Sequence, residues 1–259
     1  MELGITGRTA LVCASTRGLG RACVESLARE GVSVVVNSRD ADESQRVAEE
    51  VAGRFGVRAV GVGADLDVPE GRRHLLAACG SPDIVVTNNA GPPPASFGEV
   101  TAAGWLAALQ ANMLAAIEIV QAVLPDMRAR HFGRIVNITS AMVKSPNPLM
   151  TPSVAARAGL TGVMKAVSRE VVPDNVTINN LLPERIDTDR QRQMAGLAVS
   201  ATGITLEEAY AAMVDTIPAG RIGRPEEVGD ACAFLCSAQA GYITGQNLQL
   251  DGGAYGGLL

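Results

Sequence analysis

Residues 135–160 of this 259-residue chain read IVNITSAMVKSPNPLMTPSVAARAGL, and this stretch decides the fold. Its first four residues predict a buried strand that ends at Ser140, and a proline-rich loop follows. A helix is predicted to begin near Ser153, because apolar residues then recur at helical spacing. Ser153 and Arg157 lie four residues apart and share one face of that helix. Ser140 therefore faces a polar pair at the carboxyl end of a strand, where open α/β sheets bind ligands.

The rest of the chain repeats this alternation of short apolar runs and helical spacers. The runs are continuous, which is typical of strands buried on both faces of a sheet. The pattern predicts an α/β fold with a doubly wound, seven-stranded, Rossmann-like parallel sheet and helices on both faces. No linker or repeat divides residues 1–259, so one domain is expected. Strands are predicted at Ala10–Cys13, Val34–Val36, Val57–Val62, Ile84–Val86, Ile135–Ile138, Val176–Leu181 and Leu248–Leu250.

Composition and charge argue against several classes of function. The chain is 47% hydrophobic with a net charge of -5 and no basic block, which argues against a nucleic-acid partner. No apolar run reaches the roughly 18 residues of a membrane span. The N-terminus shows no secretory signal, so a cytoplasmic location is expected. Five scattered cysteines are interpreted as core residues, and two histidines favour neither a metal site nor a Ser-His-Asp triad.

Several motifs together resemble the short-chain dehydrogenase/reductase family, in particular its 3-oxoacyl-ACP reductases. The family places Tyr-x-x-x-Lys and then Ala-Gly thirteen residues after a strand-end serine. Here Ser140, Ala158 and Gly159 match, whereas Ser153 and Arg157 stand at the tyrosine and lysine positions. The resemblance extends from about Gly7 to Gly253, and it rests most firmly on the segments 88–91 (NNAG) and 251–253 (DGG).

The resemblance implies a nicotinamide dinucleotide site around the turn at residues 13–20, CASTRGLG. A glycine-rich turn lets the backbone approach a pyrophosphate, which the following helix N-terminus attracts. The spacing G-x-G-x-x-G is not met, because position 23 is Cys. Ala14 replaces the family's first glycine, which is compatible if its φ is negative. The implied cofactor-binding residues are Ser15, Arg17, Gly18, Leu19, Gly20, Ser38, Arg39, Asp65, Leu66, Asn89, Ala90, Gly91, Pro183 and Ile186.

The end of the second strand favours NADP(H) over NAD(H). Enzymes selective for NAD place a carboxylate there to accept from the ribose 2′-hydroxyl, whereas this chain has Ser38. Arg39 follows and Arg17 lies in the glycine-rich turn, so two guanidinium groups suit a 2′-phosphate. The alternative is that both arginines are solvated surface residues.

The resemblance also implies a catalytic set of Asn112, Ser140, Ser153 and Arg157. In the family, a tyrosine exchanges the proton, a lysine lowers its pKa and holds the nicotinamide ribose, the serine orients the carbonyl, and the asparagine holds a water. A serine hydroxyl is a poor general acid near neutrality, and an arginine stays protonated. Arg157 can still bond ribose hydroxyls or an anionic substrate group.

Three interpretations therefore stay open. The chain is an NADP(H)-dependent reductase of a small or acyl-linked carbonyl with another proton donor, a nucleotide-binding protein with a non-redox or regulatory role, or a structural partner of an active relative. Lys144 and Tyr210 are candidate donors, or else an exposed loop lysine and a packed aromatic. Residues from about 184 to 220, with Glu184 where the family has glycine, are expected to form a substrate lid. A homotetramer or homodimer is implied by the resemblance.

Overall fold

Seven parallel strands form one sheet in the order β3-β2-β1-β4-β5-β6-β7. The computed structural model describes residues 2–258. The predicted seven-stranded parallel sheet is confirmed. The strands are β1 Thr9–Val12, β2 Ser33–Ser38, β3 Ala59–Gly63, β4 Ile84–Thr87, β5 Gly133–Ile138, β6 Val176–Pro183 and β7 Asn247–Leu250.

Helices connect the strands and cover both faces of the sheet, as expected for a doubly wound fold. They are α1 Gly18–Arg29, α2 Ala41–Phe55, α3 Pro69–Cys79, α4 Ala102–Leu109, α5 Ala115–Ala129, α6 Thr151–Val171, α7 Asp189–Thr202, α8 Leu206–Val214 and α9 Pro225–Cys236. A five-residue π-helical turn, Gln110–Leu114, joins α4 to α5.

The central strands are buried on both sides, and successive residues enter different cores. In β1, Ala10 and Val12 pack into a cluster with α1, α2 and α9, whereas Leu11 packs into a cluster with α3, α5 and α6. The same alternation occurs in β4, where Val86 enters the first cluster and Val85 the second. Both faces are apolar, which explains the continuous hydrophobic runs of the sequence.

The chain crosses the sheet in two directions from β1, outward to β3 and then back to β4. The order therefore reverses between β1 and β4. In such sheets a crevice opens beyond the carboxyl ends of the strands at this reversal, and ligands bind there. Most of the predicted site residues lie at or after the carboxyl ends of β1 to β6.

Each observed strand differs from its predicted range by one or two residues at one end or both. Two differences in where an element begins have a clear local cause. The helix expected near Ser153 begins two residues earlier, at Thr151, because Pro152 suits the first turn of a helix. The third strand begins at Ala59 and not at Val57. The cause lies in Gly56, which ends α2 in the left-handed conformation with a φ of 69° and leaves a short connection before the strand.

The helical run 102–129 has one feature that the sequence analysis missed. Its 28 residues include an 18-residue window with a mean hydropathy of 1.5, so by length and composition it could cross a membrane. The expectation that no run is long enough is therefore wrong. Its one acidic residue before Asp126 is engaged in the protein, because Glu118 pairs with Arg72 at 2.6 Å. Its residues Ile119 and Met127 lie in the second core cluster, and a core helix passes the same test.

Candidate active site

A cleft of about 1220 Å³ lies beyond the carboxyl ends of the strands. Ser140, Ser153 and Arg157 line it, together with most of the residues predicted to bind a cofactor. The fold therefore brings segments from distant parts of the sequence to one surface. The predicted cofactor residues that line the cleft are Arg17, Gly18, Leu19, Ser38, Arg39, Asp65, Leu66, Asn89, Ala90, Gly91, Pro183 and Ile186.

Ser15 and Gly20 lie beneath the glycine-rich turn and do not line the cleft. Ser15 is fully buried, donates to the carbonyl of Val12 at 2.7 Å and accepts from the amide of Asn37 at 3.0 Å. A Cβ on Gly20 would lie 2.4 Å from the carbonyl oxygen of Ala14. Gly20 therefore allows the start of α1 to pack against the turn.

Ala14 adopts a left-handed backbone conformation with a φ of 45°. From the sequence, alanine is compatible with this position of the family's glycine only if its φ is negative, and the structure does not meet this requirement. An alanine is strained in the left-handed region. Two side chains hold the residue in place: the amide of Ala14 donates to Asn37 Oδ1 at 3.1 Å, and Asn88 Nδ2 donates to its carbonyl at 3.1 Å. Sequence reasoning assigned no role to Asn37 or Asn88. An asparagine within or directly after an apolar strand was the available signal.

The N-terminus of α1 has no side-chain cap and no acidic residue in its first turn. The N-termini of α3, α5 and α6 also lack a side-chain cap, whereas α2, α4, α7 and α8 are capped by Asp40, Thr101, Thr188 and Thr205. The first amide groups of α1 therefore lack side-chain acceptors at the edge of the cleft. A phosphate group fits this arrangement, since it supplies acceptors and a negative charge.

Arg17 and Arg39 lie at the end of the cleft next to β2, and both are exposed. Within residues 2–258, neither forms an ion pair. Ser38 is already engaged, because its hydroxyl donates to the carbonyl of Asp40 at 2.8 Å. Asp40 and Glu43 line the same end of the cleft, and Asp40 caps α2. Two unpaired cations and two carboxylates thus face this end of the site.

Asn89 connects three segments around the cleft. Its Nδ2 donates to Asp67 Oδ1 at 2.8 Å and to the carbonyl of Ala111 at 3.1 Å, while its Oδ1 accepts from the amide of Ala90 at 2.8 Å. The loop after β4 is thereby held against the loop after β3 and the π-helical turn.

Asn112 lies inside that π-helical turn and is almost fully buried. Its Nδ2 donates to the carbonyl of Ala90 at 3.2 Å, and its Oδ1 has no hydrogen-bond partner among the described residues. Asn112 and Arg157 both line a small cavity of about 20 Å³ behind the main cleft. This space is large enough for one water. Departures from regular α-helix of this kind are frequent at functional sites.

Arg157 connects α6 to the end of β5. Its Nε donates to Ser153 Oγ at 3.2 Å, and its Nη1 donates to the carbonyls of Ile138 and Thr139, both at 2.9 Å. Burial, together with the nearby charge of Arg190, lowers the pKa of Arg157 to about 10. The guanidinium therefore stays protonated near neutrality. Its Nη2 makes no hydrogen bond within the described residues and faces Gly91, whose added Cβ would lie 3.7 Å away.

Ser140 follows β5 with an extended backbone, and its Oγ accepts from the amide of Met142 at 3.2 Å. Ser153 lies in the first turn of α6 and is 3% exposed. Both hydroxyls accept one hydrogen bond, so each retains its own hydrogen for donation into the cleft.

The two side chains suggested as alternative proton donors do not line the cleft. Lys144 Nζ lies over the ring of Tyr255, 5.3 Å from its centroid. Tyr210 belongs to α8 and lies near Arg192, outside the cleft. The residues that line the cleft include no Tyr, Lys, His or Cys. The available proton-bearing groups are hydroxyls, guanidiniums and carboxyls.

A chain of buried polar side chains runs across the sheet beneath the site. Thr87 donates to Asn137 at 2.7 Å, Asn137 donates to Asn180 at 2.9 Å, and Asn180 donates to Asn247 at 2.8 Å. These contacts join the carboxyl ends of β4 and β5 to the middle of β6 and to the start of β7. Sequence analysis missed this network, although Asn137 and Asn180 are polar interruptions of apolar strands.

Known proteins share this architecture. A family model described as enoyl-(acyl carrier protein) reductase matches residues 13–255. The 3-oxoacyl-(acyl-carrier-protein) reductase FabG of Aquifex aeolicus is 32% identical over 259 residues, covering 98% of this chain and 100% of the relative. The chain is a short-chain dehydrogenase/reductase. The implied family membership is thereby confirmed, and with it the assignment to an oxidoreductase family.

Two further reductases are similar to this chain in sequence or in structure. The NADPH-dependent reductase BacG of Bacillus subtilis is 31% identical over 252 residues, covering 95% of this chain and 97% of the relative. The L-sorbose reductase of Gluconobacter frateurii, solved with NADPH and L-sorbose, superposes with a TM-score of 0.94 at 28% identity and covers 100% of both chains. Against this background, Ser153 and Arg157 are the departures that bear most directly on chemistry.

Proposed function

We propose that the chain is an NADP(H)-dependent oxidoreductase that reduces a carbonyl or oxidises an alcohol without a tyrosine acid. One observation supports it most directly: Ser140, Ser153 and Arg157 line the same cleft as the glycine-rich turn and the loop after β4. The nucleotide site and a polar reaction site are therefore continuous. BacG and the L-sorbose reductase structure are described with NADPH, which supports the choice of cofactor.

The residues present fit a phosphorylated dinucleotide. The uncapped N-terminus of α1 suits the pyrophosphate, and Gly18 and Gly91 let the backbone approach it and the nicotinamide half. Arg17 and Arg39 suit a 2′-phosphate, and Asp40 and Glu43 partly oppose them. Two exposed guanidiniums with no carboxylate partner give a net preference for the added charge.

A nicotinamide held along the cleft would supply the hydride chemistry at the substrate carbon. Ser140 donates a hydrogen bond to the substrate oxygen and orients it. Ser153 passes its hydroxyl proton to that oxygen as negative charge develops, and a proton taken up from bulk solvent returns Ser153 to its neutral form. The Nε of Arg157 donates to Ser153 Oγ and stabilises the serine oxygen when it is charged. Because a serine acid is weaker than a tuned tyrosine, slow turnover of simple ketones is expected.

A second function, nucleotide binding with a non-redox or regulatory role, is favoured by one specific observation. Arg157 donates three hydrogen bonds, to Ser153 and to the carbonyls of Ile138 and Thr139. These bonds fix α6 to the end of β5, which is a purely structural role. The absence of Tyr and Lys from the cleft lining agrees with this alternative.

One set of measurements separates the two functions. Calorimetric titration with NADPH and NADH measures nucleotide binding, and absorbance of the reduced nicotinamide measures turnover across a panel of ketones and alcohols. Ser140→Ala should abolish turnover and leave NADPH binding intact. Ser145→Ala is the matched control, since Ser145 is exposed and does not line the cleft. NADPH binding without turnover of any substrate would favour the regulatory role.

Assembly, domain organisation and location are also proposals. We infer one domain with a lid formed around α7 and α8, a homodimer or homotetramer, no nucleic-acid or membrane partner, and a cytoplasmic location. Exposed apolar side chains on the surface, including Leu106 and Phe97, support self-association. Sedimentation that finds only monomer at micromolar concentration would argue against the oligomer.

A further inference from the structure

Two arginines in the cleft have no carboxylate partner within the part of the chain that the structure describes. Arg157 and Arg190 form no ion pair, whereas the other cation at this end, Arg185, lies 3.5 Å from Glu184. Asp189 also lines the cleft but pairs with Arg192 at 3.1 Å. Glu184 and Asp189 each have an arginine partner of their own, so neither is the ion-pair partner of Arg157 or Arg190.

The two guanidiniums converge on consecutive residues of the loop after β4. Arg190 Nη2 donates to the carbonyl of Pro92 at 2.8 Å, while Arg157 Nη2 faces Gly91. They arrive from different elements, since Arg157 belongs to α6 and Arg190 to α7. The charge of Arg190 also lowers the pKa of Arg157, after the larger effect of burial. Two like charges thus lie close together in a partly enclosed space.

Neither guanidinium has used all its donors. Arg157 has engaged Nε and Nη1, which leaves Nη2 directed at the cleft. Arg190 has engaged one acceptor at Nη1, the Gln193 amide oxygen, and one at Nη2. Enclosed cations without a counter-charge cost free energy, and a bound anion that accepts several hydrogen bonds would offset that cost. The arrangement therefore has the charge and the donors of an oxyanion site.

We propose that the substrate carries a carboxylate close to its reacting carbonyl, and that Arg190 and Arg157 bind this carboxylate while Ser140 and Ser153 face the carbonyl oxygen. The inference rests on the proposed oxidoreductase function and names its substrate class, an oxo acid or hydroxy acid. A singly charged carboxylate fits better than a phosphate dianion, because Glu184 and Asp189 line the same end and repel the dianion more strongly. The neutral thioester of a carrier-linked acyl chain would leave both cations unpaired.

The test compares short-chain oxo acids with their methyl esters and with phosphorylated ketones, using NADPH oxidation as the readout. The wild-type protein should turn over the acid with a kcat/KM about 10- to 100-fold above that of its ester, the range expected for charge-assisted hydrogen bonds. Arg190→Gln should lower kcat/KM for the acid much more than for the ester and so remove this advantage, and Arg190→Lys should restore part of it. Arg73→Gln is the control, since it removes one charge from exposed α3, outside the cleft.

Failure of this inference can be separated from failure of the proposed function. Equal turnover of acid and ester, a higher rate on phosphorylated ketones, or an unchanged acid preference in Arg190→Gln would overturn the carboxylate site while the oxidoreductase function stands. If no substrate turns over, calorimetry on the NADP⁺ complex decides: oxo acid binding that Arg190→Gln removes supports the site without the reaction. If the oxo acid does not bind that complex, or if the nucleotide itself does not bind, the carboxylate site is overturned.

Discussion

Arg157 Nε donates to Ser153 Oγ at 3.2 Å, so the two residues that replace the family's tyrosine and lysine contact each other directly. Their spacing of one helical turn in α6 makes this contact available, and Arg157 then extends to the carbonyls at the end of β5. The pair therefore has defined partners in the fold.

The first prediction concerns cofactor choice. Replacing Arg17 or Arg39 by Gln should weaken NADPH binding by about tenfold and leave NADH binding unchanged, because only NADPH carries a 2′-phosphate. The effect should shrink as salt rises, since both side chains are exposed. Calorimetric titration with both nucleotides measures it. Arg58→Gln is the control: Arg58 is exposed but does not line the cleft. Tighter binding of NADH by the wild-type protein would refute the assignment.

The second prediction concerns backbone strain at Ala14, whose φ is 45°. Ala14→Gly should raise the free energy of unfolding by up to about 1 kcal/mol, because glycine adopts this conformation without strain and the gain exceeds its entropy cost. Ala166→Gly is the matched control in the exposed interior of α6, and it should lower the free energy by about 1 kcal/mol. Denaturant unfolding measures both. If the two variants lose stability equally, the left-handed conformation at Ala14 is not strained.

The backbone conformation of Ala14 could not be predicted from the sequence, whereas the strands could. The apolar runs predicted every strand, because burial on both faces leaves a continuous pattern that does not depend on partners. The φ of Ala14 depends on side chains from β2 and from the loop after β4, which hold it through Asn37 and Asn88. Such contacts arise only when the sheet brings distant segments together. A local rule about φ at one position could not anticipate them.

The same limit applies to the reaction end of the site. Helical spacing predicted that Ser153 and Arg157 share a face, and both do line the cleft. It could not predict the bonds from Arg157 to Ile138 and Thr139, because backbone carbonyls at a strand end carry no sequence signature. Arg190 was also missed, since its role depends on how α7 packs over the loop after β4. Residue type indicated the chemistry, and tertiary packing decided the partners.

The third prediction concerns the polar chain beneath the site. Asn137→Ala should lower the free energy of unfolding by about 2–4 kcal/mol, because the Thr87 hydroxyl and Asn180 Oδ1 each lose the hydrogen bond to Asn137 in a buried site. Chemical denaturation measures the loss. Gln121→Ala on the exposed face of α5 is the control and should change stability by less than about 0.5 kcal/mol.

A double-mutant cycle sharpens this third prediction. Thr87→Val combined with Asn137→Ala should cost less than the sum of the single changes, because the second substitution no longer leaves a new unpaired group. Additive losses would mean that the two residues act independently despite their 2.7 Å contact.

The last prediction tests whether the site has merely lost an acid. Ser153→Tyr together with Arg157→Lys should create the proton relay that the family uses, and NADPH-dependent reduction of simple ketones should rise. Ser153 lines the cleft, so the phenol has space to enter it. A lysine at 157 keeps donors for the carbonyls of Ile138 and Thr139. The tyrosine alone lacks the amine that lowers its pKa, and the lysine alone lacks an acid, so each single variant should gain little.

The controls for the double variant are its stability and its affinity for NADPH, which should match those of the parent. If stability and NADPH affinity are unchanged and the variant reduces none of the ketones, the site has diverged beyond these two positions. Glu184 and the α7–α8 segment are then the next residues to test. If the double variant instead loses a reaction that the parent performs on an oxo acid, then Ser153 and Arg157 are themselves adapted to that substrate. The second outcome is expected if Arg157 binds the carboxylate, because a lysine offers a point charge where the guanidinium offers a planar set of donors.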